Sequence, residues 1–143
     1  MTLLGTRVIG ALLAVALVFH LLAAPALAAC SGEAAAKASE AARRIDGWSG
    51  LFEYYKQHLA CDDGPAGESV DNAVESLLLK KWEGLPEAAR QAAADPKYQK
   101  FLLRHVGEGF SEEGAAEIIK RSRAKCPAGA EKLCGALIDV LQE

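Results

Sequence analysis

The sequence predicts an all-α domain, a bundle of five to six short helices stapled by disulfides. Three observations carry that reading. Apolar side chains recur at steps of three and four in several segments, and no stretch alternates with the period of a strand. Ser69, Asp95-Pro96 and Ser111 stand where helix starts are expected, while Gly84, Gly107 and Gly109 stand where helices should end. Four cysteines, Cys30, Cys61, Cys126 and Cys134, form an even set.

The chain has 143 residues. Residues 1–29 read as a signal peptide: Arg7, an apolar run from Val8 to Ala24, then Pro25 and small residues up to Ala29. The run is short for a membrane anchor. Cleavage after Ala26-x-Ala28 would release a soluble exported protein. Leu27-Ala28-Ala29-Cys30 also matches a lipobox, in which Cys30 is acylated. An acylated Cys30 would leave an odd thiol in an oxidising compartment, which favours soluble export. Residues 30–143 then form a single helical domain with an Ala-rich N-terminal segment at 30–44. Without the leader, 15 Lys and Arg face 19 Asp and Glu. The mean hydropathy of +0.08 is thus raised by the leader, and the acidic balance argues against a nucleic-acid partner.

Residues 33–43 are strong helix formers. Ile45, Trp48, Phe52, Tyr55 and Leu59 then share one helical stripe, with a bend near Gly47 and Gly50 or a fresh start capped by Asp46. Cys61 to Gly67 reads as a turn. Ser69 caps a helix bearing Val70, Val74, Leu77, Leu78 and Trp82. Pro86 opens a short helix to Ala94 that has no large core side chain. Asp95-Pro96 starts the next, with Tyr98, Phe101, Leu102 and His105 on one face. Ser111 caps another, whose inward face is Ala115, Ile118, Ile119 and Ser122. The last runs from about Ala128, with Leu133, Cys134, Leu137, Ile138 and Leu141.

A Cys30–Cys61 bond requires a break in the helical segment between them, because a straight helix over 33–60 would be about 40 Å long. A Cys126–Cys134 bond would be local. All three pairings of four cysteines stay open at this level.

Cys61-Asp62-Asp63-Gly64, Trp82-x-x-Leu85-Pro86, Asp95-Pro96, Phe101-x-x-x-His105-Val106 and Cys126-Pro127 through Cys134 together resemble a family of small exported proteobacterial proteins. The resemblance spans roughly residues 55–137. It implies a helical, cysteine-stapled, exported domain and transfers no catalytic residue.

The densest set of ligand-type side chains is His58, Cys61, Asp62 and Asp63. His58, Asp62 and Asp63 are the metal candidates, although one His and one Cys make half a zinc site and the acids lack the order of a calcium loop. His105 reads as a buried, neutral histidine with a hydrogen-bond partner, not a general base. Trp48 and Trp82 read as core anchors. Tyr54 falls off the stripe and is the candidate partner-binding aromatic. The basic run Lys120 to Lys125 reads as a helix end complementing the macrodipole. No nucleophile elbow, cofactor motif or phosphate loop is present.

The resulting expectation is a non-enzymatic, protein-binding module of the bacterial envelope, inhibitor- or immunity-like, periplasmic or secreted. It needs no cofactor, and its partner is another envelope or secreted protein. It meets a membrane only if Cys30 is lipidated or the leader is retained. One alternative is an outer-membrane lipoprotein acylated at Cys30, with a structural or assembly role. The other is a metal or small-ligand carrier.

Overall fold

The computed structural model describes residues 30–143; the leader and its cleavage sites lie outside the described residues. Seven α-helices follow one another: α1 (Gly32–Ala42), α2 (Trp48–His58), α3 (Gly64–Lys80), α4 (Leu85–Ala94), α5 (Pro96–Arg104), α6 (Glu112–Ala124) and α7 (Glu131–Val140). Short 3-10 turns cover Leu59–Cys61 and Trp82–Gly84. The all-α, disulfide-stapled class is therefore correct, and the described residues contain no strand. The helix count exceeds the expected five to six because the segment between Cys30 and Cys61 is two helices. Among the described residues no helix is long and apolar enough to cross a membrane.

Caps explain most boundaries. Ser31 Oγ accepts from Ala34 N–H, Asp95 Oδ1 from Lys97 and Tyr98 N–H, and Ser111 Oγ from Gly114 N–H. Two expected starts are corrected. Gly47, not Asp46, is the N-cap of α2, with no side-chain cap bond. α3 begins at Gly64, five residues before Ser69, because Pro65 fits the first turn of a helix and needs no donor there. Ser69 lies inside α3 and donates to Pro65 O instead. Gly64 has φ +49°, a left-handed conformation that lets the chain turn sharply from Cys61 into α3. α7 begins at Glu131, slightly later than expected.

All seven helices feed one core. Leu51, Val70, Val74, Leu78, Leu85, Tyr98, Leu102, Ile118 and Leu137 are fully buried. Each such aliphatic side chain contributes about 1.5–3 kcal/mol relative to exposure. α1 packs chiefly on α3 through Ala38 and Ala42, whose small side chains permit close approach. α4 does the same with Ala88 and Ala92, which is how a helix with few large residues still joins the core.

Both tryptophans are core anchors that also satisfy carbonyls at helix C-termini. Trp48 Nε1 donates to Lys81 O at the end of α3, and Trp82 Nε1 to Lys125 O at the end of α6, each at 2.9 Å. Arg121 of the basic run donates to Leu79 O at 2.7 Å while pairing with Glu117. A β-carbon on Gly84 would lie 2.7 Å from Trp48 Cδ1. Gly84→Ala is therefore expected to cost about 1–3 kcal/mol by forcing the indole off its place. A denaturant titration showing less than about 0.5 kcal/mol would contradict this close fit.

Candidate functional site

The disulfides pair Cys30 with Cys61 and Cys126 with Cys134, with Cα atoms 5.0 Å and 6.2 Å apart. Two such bonds suit an oxidising, non-cytoplasmic compartment. The break that the first bond requires lies between Ala42 and Trp48. Cys30–Cys61 ties the start of α1 to the 3-10 turn after α2; Cys126–Cys134 closes the loop between α6 and α7. A thioether-linked lipid on Cys30 would use the sulfur that bonds Cys61, so the two states exclude each other.

The 3-10 turn divides its neighbours between inside and outside. Leu59 faces solvent and is 42 % exposed, the largest exposure of a bulky hydrophobic among the described residues. Asp62, just past the turn, has a fully buried side chain. Its Oδ2 lies 2.8 Å from His105 Nε2 and also accepts from Arg104. His105, at the C-cap of α5, has Nδ1 2.7 Å from Asp71 Oδ1 in α3. A ring protonated at both nitrogens donates to both carboxylates; a neutral ring serves one and sets a lone pair against the other. The network thus ties the 3-10 turn, α3 and α5 together. Phe101 packs edge-on against the His105 ring at 4.7 Å.

His105 is only 6 % exposed, and both ring nitrogens are engaged by carboxylates. In this arrangement neither nitrogen is left to take a proton from a substrate or a nucleophile. His105 is buried and hydrogen-bonded, as its helical face indicated. Its partners Asp62 and Asp71 are 43 and 34 residues away in sequence, and no spacing marked them.

The metal candidates are not brought together. Asp62 faces His105 and Arg104, Asp63 is exposed at the start of α3, and the His58 ring packs 5.2 Å from Tyr54. Cys61 is in a disulfide and offers no thiolate. Among the described residues no three His, Cys, Asp or Glu side chains are grouped to hold an ion.

Tyr54, expected at the surface, is instead 3 % exposed. The reason is a rotation of α2 about its axis: its buried face is Trp48, Leu51, Tyr54 and Tyr55, and the half-buried Phe52 lies at its margin. Leu59 leaves the expected stripe because the α-helix ends at His58 and the tighter 3-10 turn redirects the chain toward Cys61. The Tyr54 hydroxyl and Asp62 Oδ1 have no hydrogen-bond partner in the protein. Burial foremost, then the Asp62 charge, push the Tyr54 phenol up to about 12; Arg104 opposes and Asp63 adds a little.

A phenol with a raised folded-state pKa stabilises the fold fully below its unfolded value near 10, and that contribution is lost as pH rises through about 12. Tyr54→Phe is expected to be within about 1 kcal/mol of wild type at neutral pH, since the lost hydroxyl is unpartnered. It should also fall less steeply in stability between pH ~10 and ~12. Identical alkaline limbs for the two proteins in urea melts would contradict the assignment.

Beside this network, Leu59, Lys97, Lys100, Phe101 and Arg104 line a broad, shallow, mainly apolar depression of about 610 Å³. Sequence reasoning missed it, because Leu59 was placed in the core and the cations of α5 drew no attention. The spacing of Lys97, Lys100 and Arg104 was the available signal: steps of three and four put them on one helical face.

Comparison with known proteins found no matching family model, characterised protein or solved structure.

Proposed function

We propose that this chain is an exported, disulfide-stapled, non-enzymatic module that binds another protein of the bacterial envelope through the surface around Leu59. The observation that carries the reading is the exposed Leu59 over an apolar depression on an otherwise well-packed domain. An apolar centre with a charged rim is the anatomy of many protein interfaces. The engagement of both His105 nitrogens by carboxylates supports a structural role for the one buried histidine.

Two disulfides support export to the periplasm or beyond, with residues 1–29 serving as the signal peptide. The resemblance to small exported proteobacterial proteins is in keeping with this and adds no residue role. The lipoprotein alternative draws on the Leu27-Ala28-Ala29-Cys30 pattern and competes for the same sulfur as the Cys30–Cys61 bond.

A photoreactive amino acid placed at Leu59 in the native host tests the reading. It should yield a discrete, reproducible cross-linked species, whereas the same group at the exposed Lys132 of α7 should not. Cross-linking to nothing at Leu59, with the protein correctly exported, would overturn the reading.

A further inference from the structure

We infer that the Leu59 depression accepts an acidic segment of the partner protein that carries one large apolar side chain. This rests on the protein-binding reading above and assigns the partner its chemistry. The floor supplies the apolar half of the argument: Leu59 is exposed and the Phe101 ring borders the same space. The rim supplies the charge. Lys97, Lys100 and Arg104 are every charged residue of the lining, and all are cations. They run along one face of α5 over about 10 Å.

Two of those cations are unpaired. Lys97 and Lys100 make no ion pair among the described residues. Arg104 pairs inward with the buried Asp62, yet its side chain remains 55 % exposed, and its guanidinium carbon lies 5.9 Å from the Phe101 ring centre. The Asp62 contact holds Arg104 at the rim and offsets its charge, so Lys97 and Lys100 carry the recognition of carboxylates. The domain as a whole is acidic: beyond the leader, acids outnumber Lys and Arg by four. A cationic rim on an acidic body draws an acidic partner toward this face.

Charge also separates the occupants. The leader of this chain carries Arg7 and no acid, so it cannot complement the rim. A lipid surface would meet one leucine and a few cations over a shallow depression unsuited to flat insertion. A peptide with one anchor in the depression and carboxylates along α5 uses every feature present.

The test is fluorescence anisotropy of short labelled Glu/Ser peptides with one central Phe, titrated with the exported, disulfide-intact protein. Saturable binding is expected, weakening with added salt. It should weaken about tenfold or more with Lys97→Glu/Lys100→Glu and several-fold with Leu59→Ser. Lys97→Gln/Lys100→Gln, which leaves the fold alone, should lie between. Lysine-for-glutamate peptides should not bind. No saturable binding, or binding indifferent to both lysine pairs, would overturn the inference. Co-sedimentation with phosphatidylglycerol vesicles that the lysine variants abolish, without peptide binding, would overturn it in favour of a lipid surface. Concentration-dependent dimerisation abolished by the same variants, again without peptide binding, would overturn it in favour of a second copy. A discrete Leu59 cross-link in cells alongside peptide failure would overturn the partner chemistry and leave the binding reading standing; loss of both would overturn both.

Discussion

His105→Ala is expected to lower the unfolding free energy by about 3 kcal/mol and the Tm by roughly 10–15 °C. The magnitude follows from what the ring leaves behind. Asp62 is fully buried, one of its oxygens already has no protein partner, and the other would keep only Arg104. Removing the partner of a buried carboxylate strands that carboxylate, which costs more than the contact contributes. Asp71 is partly exposed, so water would take over much of its lost bond. A double-mutant cycle with Asp62→Ala isolates the link: the coupling should exceed about 1 kcal/mol, since Asp62→Ala removes the stranded charge. Strictly additive losses would show that the network holds nothing together.

The second large effect concerns the two staples, which should be unequal. Chain-entropy arguments assign about 3.7 kcal/mol to a bond closing a loop of 31 residues and about 2.5 kcal/mol to one closing 8. Cys30→Ser/Cys61→Ser should therefore destabilise more than Cys126→Ser/Cys134→Ser in denaturant titrations. The gap should widen further, because Cys61 also anchors the turn that aims Leu59 outward and Asp62 inward. Loss of the first staple should loosen α1 from α3, expose Ala38 and Ala42, and weaken binding at Leu59. Loss of the second should leave that surface intact. A larger loss from the second pair would contradict this division.

The fold was legible because its local chemistry and its core agree. Asp95-Pro96 and Ser111 cap where their types indicate, and Tyr98, Phe101, Leu102 and Ile118 are buried as the helical period requires. Where reading failed, two solutions were equally periodic. In α2 a stripe through Trp48, Phe52 and Tyr55 competes with one through Trp48, Leu51 and Tyr55. Packing against α4 and α5, which no local pattern encodes, selected the second and buried Tyr54. Cys61 to Gly67 has turn composition, but Pro65 in a first turn is a helix starter. The Asp62–His105–Asp71 network was legible in its members and not in its assembly. Asp62 counted as a metal candidate because loop acids beside Cys and His read that way. Only the fold shows that its partner lies at the end of α5. Leu59, the centre of the proposed binding surface, was invisible for a related reason: a helical wheel cannot foresee where an α-helix gives way to a 3-10 turn.

The Cys30–Cys61 disulfide is central, since it ties α1 to the turn and uses the sulfur that a lipid on Cys30 would need. The direct measurement is the intact mass of the host-produced protein from periplasmic and membrane fractions, with and without reduction. The account predicts a periplasmic or secreted species beginning at Ala29 or Cys30 that gains about four mass units on reduction, two for each bond. A membrane-bound species beginning at Cys30, carrying acyl chains and gaining only about two mass units, would contradict it.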